Sequence, residues 1–362
     1  MTANQLTGKA YYPALDGLRG VAILLVLVYH NFGFIGQFYF GWIGVDLFFV
    51  LSGFLITDIL MNTLGQPHFL RNFYMRRVLR IFPLYYLCLA FFLLIYPALF
   101  STPDFSYYKD NQFWLWTYLQ NWLYIFKPND SINILHHLWS LAVEEQFYLL
   151  WPLTILLVKK PKRLIALLAF ALLSVIALRY IVWEYKVENF AYFNLYTFSR
   201  IDGICIGSML ALIIRVNKDW IARYQALIVV SLALLNFAFF FFNQSKSYSL
   251  PYLAIAGYTT FAVMIAILVY EAVRQENKFI ALIFSNPVLK FFGKLSYGLY
   301  VYHWPVYLIL KKPLTDFFQQ RFASLPLNLA VSITATIVAI GLSWISFHFF
   351  EKHFLKLKKQ YA

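Results

Sequence analysis

Ten apolar runs of about twenty residues recur along the chain, near 17–36, 41–61, 79–99, 139–158, 163–183, 199–215, 222–242, 250–271, 295–311 and 327–349, and they constrain the fold more than any other feature. A bilayer hydrocarbon core about 30 Å thick takes about 20 helical residues, so each run is long enough to cross one. Lipid offers no hydrogen bonds, so a lone spanning segment must satisfy its own backbone, and a helix does so. The expectation is an all-α, polytopic integral membrane protein of about ten transmembrane helices. Composition agrees, because 61% of the 362 residues are hydrophobic and 13% charged, too little polar surface to cover soluble domains. The stretch "FWLWTYLQNWLYIF" at 113–126 is apolar but too short to span, and reads as an interfacial or re-entrant element.

A net charge of +14 raises nucleic acid as a partner, but the placement of the charges excludes it. Lysine and arginine cluster after the even-numbered runs, in "RNFYMRR", in "KKPKR", at Arg215, Lys218 and Arg223, at Arg274, Lys278, Lys290 and Lys294, and in the tail "EKHFLKLKKQYA". The opposite loops carry mixed or few charges. This is the positive-inside pattern, and with ten spans it puts both termini in the cytoplasm. No small-residue cleavage site follows the first run, so it reads as a retained helix rather than a removed signal peptide. Cys88 and Cys205 lie in apolar runs, which argues against a disulfide framework or a thiolate metal site. One membrane domain over residues 1–362, with no fused extracytoplasmic domain, is expected.

Charged groups inside spans are costly and tend to face a cavity or a partner, so function is sought there. On the first helix Arg19 and His30 are eleven residues apart, nearly a whole number of turns, and so share one face about 16 Å apart in depth. Arg19 sits near the inner border and His30 near the outer one. Arg19 either pairs with Asp16 and snorkels or meets a bound anion; His30 either caps the helix or does chemistry. Entering the third run, Arg76, Arg77 and Arg80 are spaced as one cationic helix face, suited to phosphate or to positive-inside anchoring.

In "LHHLWSLAVEEQFYLLWP", His137, Ser140, Glu144 and Tyr148 form one helical stripe, with His137 and Glu144 at about the depth of His30. A carboxylate meeting His30 would orient the imidazole as a general base; a structural interhelical pair is the other reading. Asp46 begins the second run from the outside, as a second candidate partner for His30 or as a residue favoured by the helix dipole. Gly44, Ser52 and Gly53 would let helices approach closely. Ser296, Tyr300, His303 and Tyr307 make a stripe on the ninth run, which lines the same cavity or carries a hydrogen-bonded core histidine.

The set "DGLRG", Arg19 followed by ten residues and His30, "FFVLSGFLI", Arg77 and Arg80 as Arg-x-x-Arg, "LWSLAVEEQFYLLWP" and "LSYGLYVYHWP" resembles the membrane acyltransferase 3 family over nearly the whole chain. These are integral-membrane O-acyltransferases that decorate lipopolysaccharide, peptidoglycan, exopolysaccharides, Nod factors and macrolides. The resemblance implies that Arg19 and His30 are the essential pair, that Arg77 and Arg80 serve the acyl-CoA donor, and that Glu144 is the acidic position of the fourth span. It further implies a bacterial cytoplasmic membrane location and transfer of an acyl group, acetyl by family frequency, from cytoplasmic acyl-CoA to a hydroxyl of a lipid-linked or surface glycan. The acyl-CoA is then a co-substrate rather than a tightly bound cofactor, and no metal is called for.

On this reading Arg19, Arg76, Arg77 and Arg80 hold the CoA phosphates at an inner mouth. His30, oriented by Glu144 or Asp46, deprotonates the acceptor hydroxyl or else carries the acyl group itself. His137, Tyr148, His303, Tyr300 and Ser52 line the substrate cavity. The loops around 100–138, 184–199 and 312–326 shape the acceptor site, and Trp114, Trp116 and Trp122 either stack on sugars or belt the interface. The competing class is a transporter or flippase, which would show inverted repeats and matching broken helices; neither is evident.

Overall fold

The computed structural model describes residues 12–99, 104–129, 134–185, 191–243 and 252–361, and every regular element among them is helical. Among the described residues ten helices have fifteen residues or more: α1 Pro13–Phe32, α2 Ile43–Thr63, α3 Phe69–Ala90, α4 Trp139–Val158, α5 Pro161–Glu184, α6 Asp202–Val216, α7 Lys218–Asn243, α8 Tyr258–Arg274, α9 Pro287–Phe318 and α10 Ser324–Ser346. Eight helical stretches among the described residues are long and apolar enough to cross a membrane, and a ninth is so if Lys278–Phe284 and α9, bent by 55°, are one span. The fifteen residues of α6 fall short of that length. Their outward faces stay apolar: Phe170 on α5 is 72% exposed and Leu234 on α7 62% exposed, surface that only lipid solvates well.

Two helix boundaries differ from the apolar runs for local reasons. Helix α3 begins at Phe69, ten residues before the run at 79, because nothing between His68 and Pro83 breaks a helix; His68, at φ 57°, ends the preceding turn. Arg71, Arg76 and Arg77 therefore stand on the helix and not in a loop. Before α9, Asn277 and Asn286 cap successive helices through their side-chain oxygens, and Pro287 supplies the fixed φ of a first turn. The eighth run begins at residues 250–251, outside the described residues, as are 100–103, 130–133 and 186–190 of the loops expected to shape an acceptor site.

Glycines set which helices touch. Helix α1 lies along α9, and a Cβ on Gly20 would sit 2.0 Å from Leu289 O, one on Gly293 1.8 Å from Asp16 O. Helix α2 lies along α6 with the same device: Cβ atoms on Gly53 and Gly207 would each fall 2.0 Å from a carbonyl oxygen, of Ile204 and Val50. Small residues at such crossings let backbones pack without a side-chain layer between them. The short helices Asp104–Asp110, Gln112–Trp116 and Gln120–Phe126 do not span; they cover the end of the bundle where α1 finishes and α4 begins.

Candidate active site

Helices α1, α2, α3, α4 and α9 line a partly open cavity of about 100 Å³, room for several water-sized groups. Three guanidinium groups, of Arg19, Arg77 and Arg80, line one part of it. Arg19 Nη1 lies 3.0 Å from Asp16 Oδ1. Arg77 rests over the rings of Phe73 and Tyr148, 5.8 and 5.6 Å from their centroids. Among the described residues no carboxylate forms an ion pair with Arg77 or Arg80. Glu144 lies beside Ser52 in the field of Arg77, Arg80 and Arg19, and Ser52 is hydrogen-bonded to the Tyr148 hydroxyl. Carboxylates act on Arg77 and Arg80 without pairing with them, which leaves their guanidinium forks suited to a bound anion.

The opposite part of the cavity ends at Ser140 of α4 and Tyr300 of α9. The Tyr300 hydroxyl donates to His137 O at 2.7 Å, so the Ser140 hydroxyl, 2.6 Å away, donates to Tyr300. Immediately beyond stand three imidazoles. His303 Nε2 is 3.2 Å from His30 Nδ1, and the rings of His303 and His137 are 5.2 Å apart. Backbone carbonyls fix the tautomers, because a carbonyl only accepts. His303 Nδ1, 2.8 Å from Tyr300 O, carries a proton, so in the neutral ring Nε2 accepts. His30 Nδ1, 3.1 Å from Val26 O, is likewise the N–H and is shared with His303. His30 Nε2 is then the nitrogen with the lone pair, the form a general base requires. His137 Nε2–H donates to Val301 O at 3.2 Å, leaving its Nδ1 buried without a partner.

Arg19, Arg77, Arg80, Ser52, Ser140, Glu144, Tyr148, Ser296 and Tyr300 meet in the cavity, whereas Arg76 stands outside its wall. His30, His137 and His303 meet one another past Tyr300. Glu144 keeps company with the arginines, and the partner of His30 is His303. Asp46 lies elsewhere: its Oδ1 is 2.7 Å from Arg200 Nη2, and both side chains are buried. Beside this pair Arg179 meets Asp202 at 2.9 Å, and Asp202 also accepts from Thr259 at 2.7 Å. Two arginines and two aspartates thus neutralise one another between α2, α5, α6 and α8.

Trp116 stacks on Tyr86 at 5.7 Å, and Trp122 Nε1 donates to Thr197 Oγ1 at 3.0 Å. Both are used in packing. Spacing within one helix gave no sign of the polar knot around them, in which Gln146 donates to Tyr118 O and Asn121, and Gln120 to Leu138 O. Gln146 is on α4, whereas Tyr118, Gln120 and Asn121 come from the short segment that precedes it, so no single helix carries the pattern. Gln146, a glutamine within the fourth run, is its single sequence signal.

A helical bundle with apolar outer faces, an arginine-lined cavity and an imidazole cluster beyond Tyr300 defines a membrane-type protein with a buried polar site. The chain belongs to the acyltransferase domain family, whose model matches residues 12–348. It is 31% identical over 94% of its length to "Putative peptidoglycan O-acetyltransferase YrhL" of Bacillus subtilis, covering 54% of that protein. Against peptidoglycan O-acetyltransferase OatA of Listeria monocytogenes it is 29% identical over 95% of its length, covering 56% of that relative. The chain therefore spans about half the length of the curated relatives it matches. No solved structure matches it.

Proposed function

We propose that this chain is a membrane O-acetyltransferase that moves an acetyl group from acetyl-CoA to a hydroxyl of a glycan of the peptidoglycan type. One observation carries the reading: Arg77 and Arg80, without ion-pair partners among the described residues, line a cavity that ends at Ser140 and Tyr300, against the His30–His303 pair. The phosphates of CoA are the anions the arginines take, and the pantetheine arm points its thioester along the cavity. His30 Nε2 removes the acceptor proton as the hydroxyl oxygen attacks the thioester carbonyl. The C–S bond then breaks, and the CoA thiolate recovers that proton from the imidazolium. His303 holds the tautomer, and Glu144 is the counter-ion of the arginine mouth when no donor is bound. Positive-inside loops support cytoplasmic termini, a cytoplasmic donor entry and residence in the bacterial cytoplasmic membrane. Relatives named for peptidoglycan O-acetylation support the acceptor class.

The test is CoA release from acetyl-CoA by purified protein in nanodiscs, with peptidoglycan fragments as acceptor and mass spectrometry of the product. Wild type is expected to add acetyl to the glycan, and His30→Ala to lose about 10³-fold of that rate while melting normally, the scale of a general base. Absence of acetyl transfer by wild type, or full activity in the folded variant, sinks the proposal.

A further inference from the structure

The stretch after residue 348 lies outside the family match, yet it packs against the arginine mouth. Helix α10 does not end freely: a π-helical turn, Phe347–Glu351, passes into a helix, Lys352–Leu357, and a 3₁₀ turn, Lys358–Tyr361. The wide turn brings Glu351 inward, where it is 8% exposed and accepts from Ser346 Oγ at 3.2 Å. A Cβ on Gly298 of α9 would lie 2.9 Å from the same carboxylate oxygen, so the bare glycine makes its place. Arg80 acts on this carboxylate. From Glu351 the chain runs onto α3, where the Tyr361 ring lies 5.8 Å from the Arg71 guanidinium.

This path leaves Lys358 half-buried among cations. The charges acting on its ammonium are those of Arg80, Arg77, Arg76 and Arg19, and no carboxylate pairs with it among the described residues. A lysine serving only as a membrane-border anchor extends its head into water, away from like charge. An ammonium set beside guanidiniums repels them unless an anion joins the group.

We infer that Lys358 is a donor-binding residue whose ammonium contacts a phosphate group of acetyl-CoA at the arginine mouth, the C-terminal stretch forming one wall of that site. The inference rests on the donor proposed above. It is tested on the full chain by calorimetric binding of CoA, in a phosphate-free glycosidic detergent and in zwitterionic nanodiscs, together with acetyl-CoA turnover. Lys358→Gln is expected to weaken CoA binding about tenfold and to raise KM for acetyl-CoA similarly, with kcat within about twofold; Lys358→Arg recovers most of the loss.

If wild type turns over acetyl-CoA and Lys358→Gln binds CoA as tightly as wild type, the assignment falls while the enzyme reading stands. A loss confined to nanodiscs gives Lys358 to a lipid headgroup phosphate and overturns the donor contact. A wild type that neither binds CoA nor releases it from acetyl-CoA overturns the donor, and Lys358's role with it.

Discussion

Asp46→Leu separates a structural from a chemical role for the most deeply buried carboxylate of α2. Its partner Arg200 is 2.7 Å away, and the two side chains are 1% and 4% exposed, so the substitution leaves a guanidinium uncompensated inside the bundle. Removing one member of a buried pair costs about 3–5 kcal/mol. Arg200 keeps the Tyr258 ring, 4.1 Å from its guanidinium, and the field of Asp202, which places the loss near the lower end, about 3 kcal/mol or two orders of magnitude in the folding equilibrium. Adding Arg200→Met removes the orphaned charge, while Arg179 and Asp202 stay paired at 2.9 Å, so the double variant is expected to regain most of the stability.

The assay is tryptophan-monitored unfolding in mixed micelles, with acetyl transfer measured on the same samples. Expected are an unstable Asp46→Leu and a double variant that melts near wild type and recovers activity. An Asp46→Leu protein that melts normally but transfers nothing, alongside an active Arg200→Met, would refute the structural assignment and return Asp46 to the chemistry.

Three further outcomes follow from the same geometry. Arg80→Ala should raise KM for acetyl-CoA at least tenfold in steady-state assays, and Arg80→Lys should recover only part, because an ammonium lacks the planar fork. His303→Phe should lower kcat about 10²-fold with KM nearly unchanged, through loss of the contact that orients His30; an unchanged kcat removes His303 from the mechanism. Gly207→Ala should destabilise by about 1–3 kcal/mol or more, read as a lower melting temperature, since its Cβ would lie 2.0 Å from Val50 O; a normal melt refutes the close α2–α6 crossing.

Much of the site could be read along single helices. Arg77 and Arg80, three residues apart, do share the cavity wall, as do Ser140, Glu144 and Tyr148 from the stripe on α4. The eleven-residue separation of Arg19 and His30 does set them at different levels of one helix, Arg19 in the cavity and His30 beyond Tyr300. What could not be read is who meets whom between helices. Asp46 and Arg200 are 154 residues apart, and no periodicity within either segment names the other. Equal depth made Glu144 and Asp46 both candidate partners for His30, but a partner must also be on the neighbouring helix and rotated toward it. His303, on the helix that the glycines of α1 let approach, met both conditions.

The length and apolarity of the runs, the sign of the loops and the spacing of polar residues on each helix are local properties, because a bilayer acts on every segment separately; the sequence by itself determined these. The contact of His30 with His303, the four-charge group around Asp46 and the return of Lys358 to the arginine mouth were decided only by tertiary packing. They depend on which helices lie side by side and how each is turned about its axis. Side-chain volumes and backbone approach across the whole bundle settle that together.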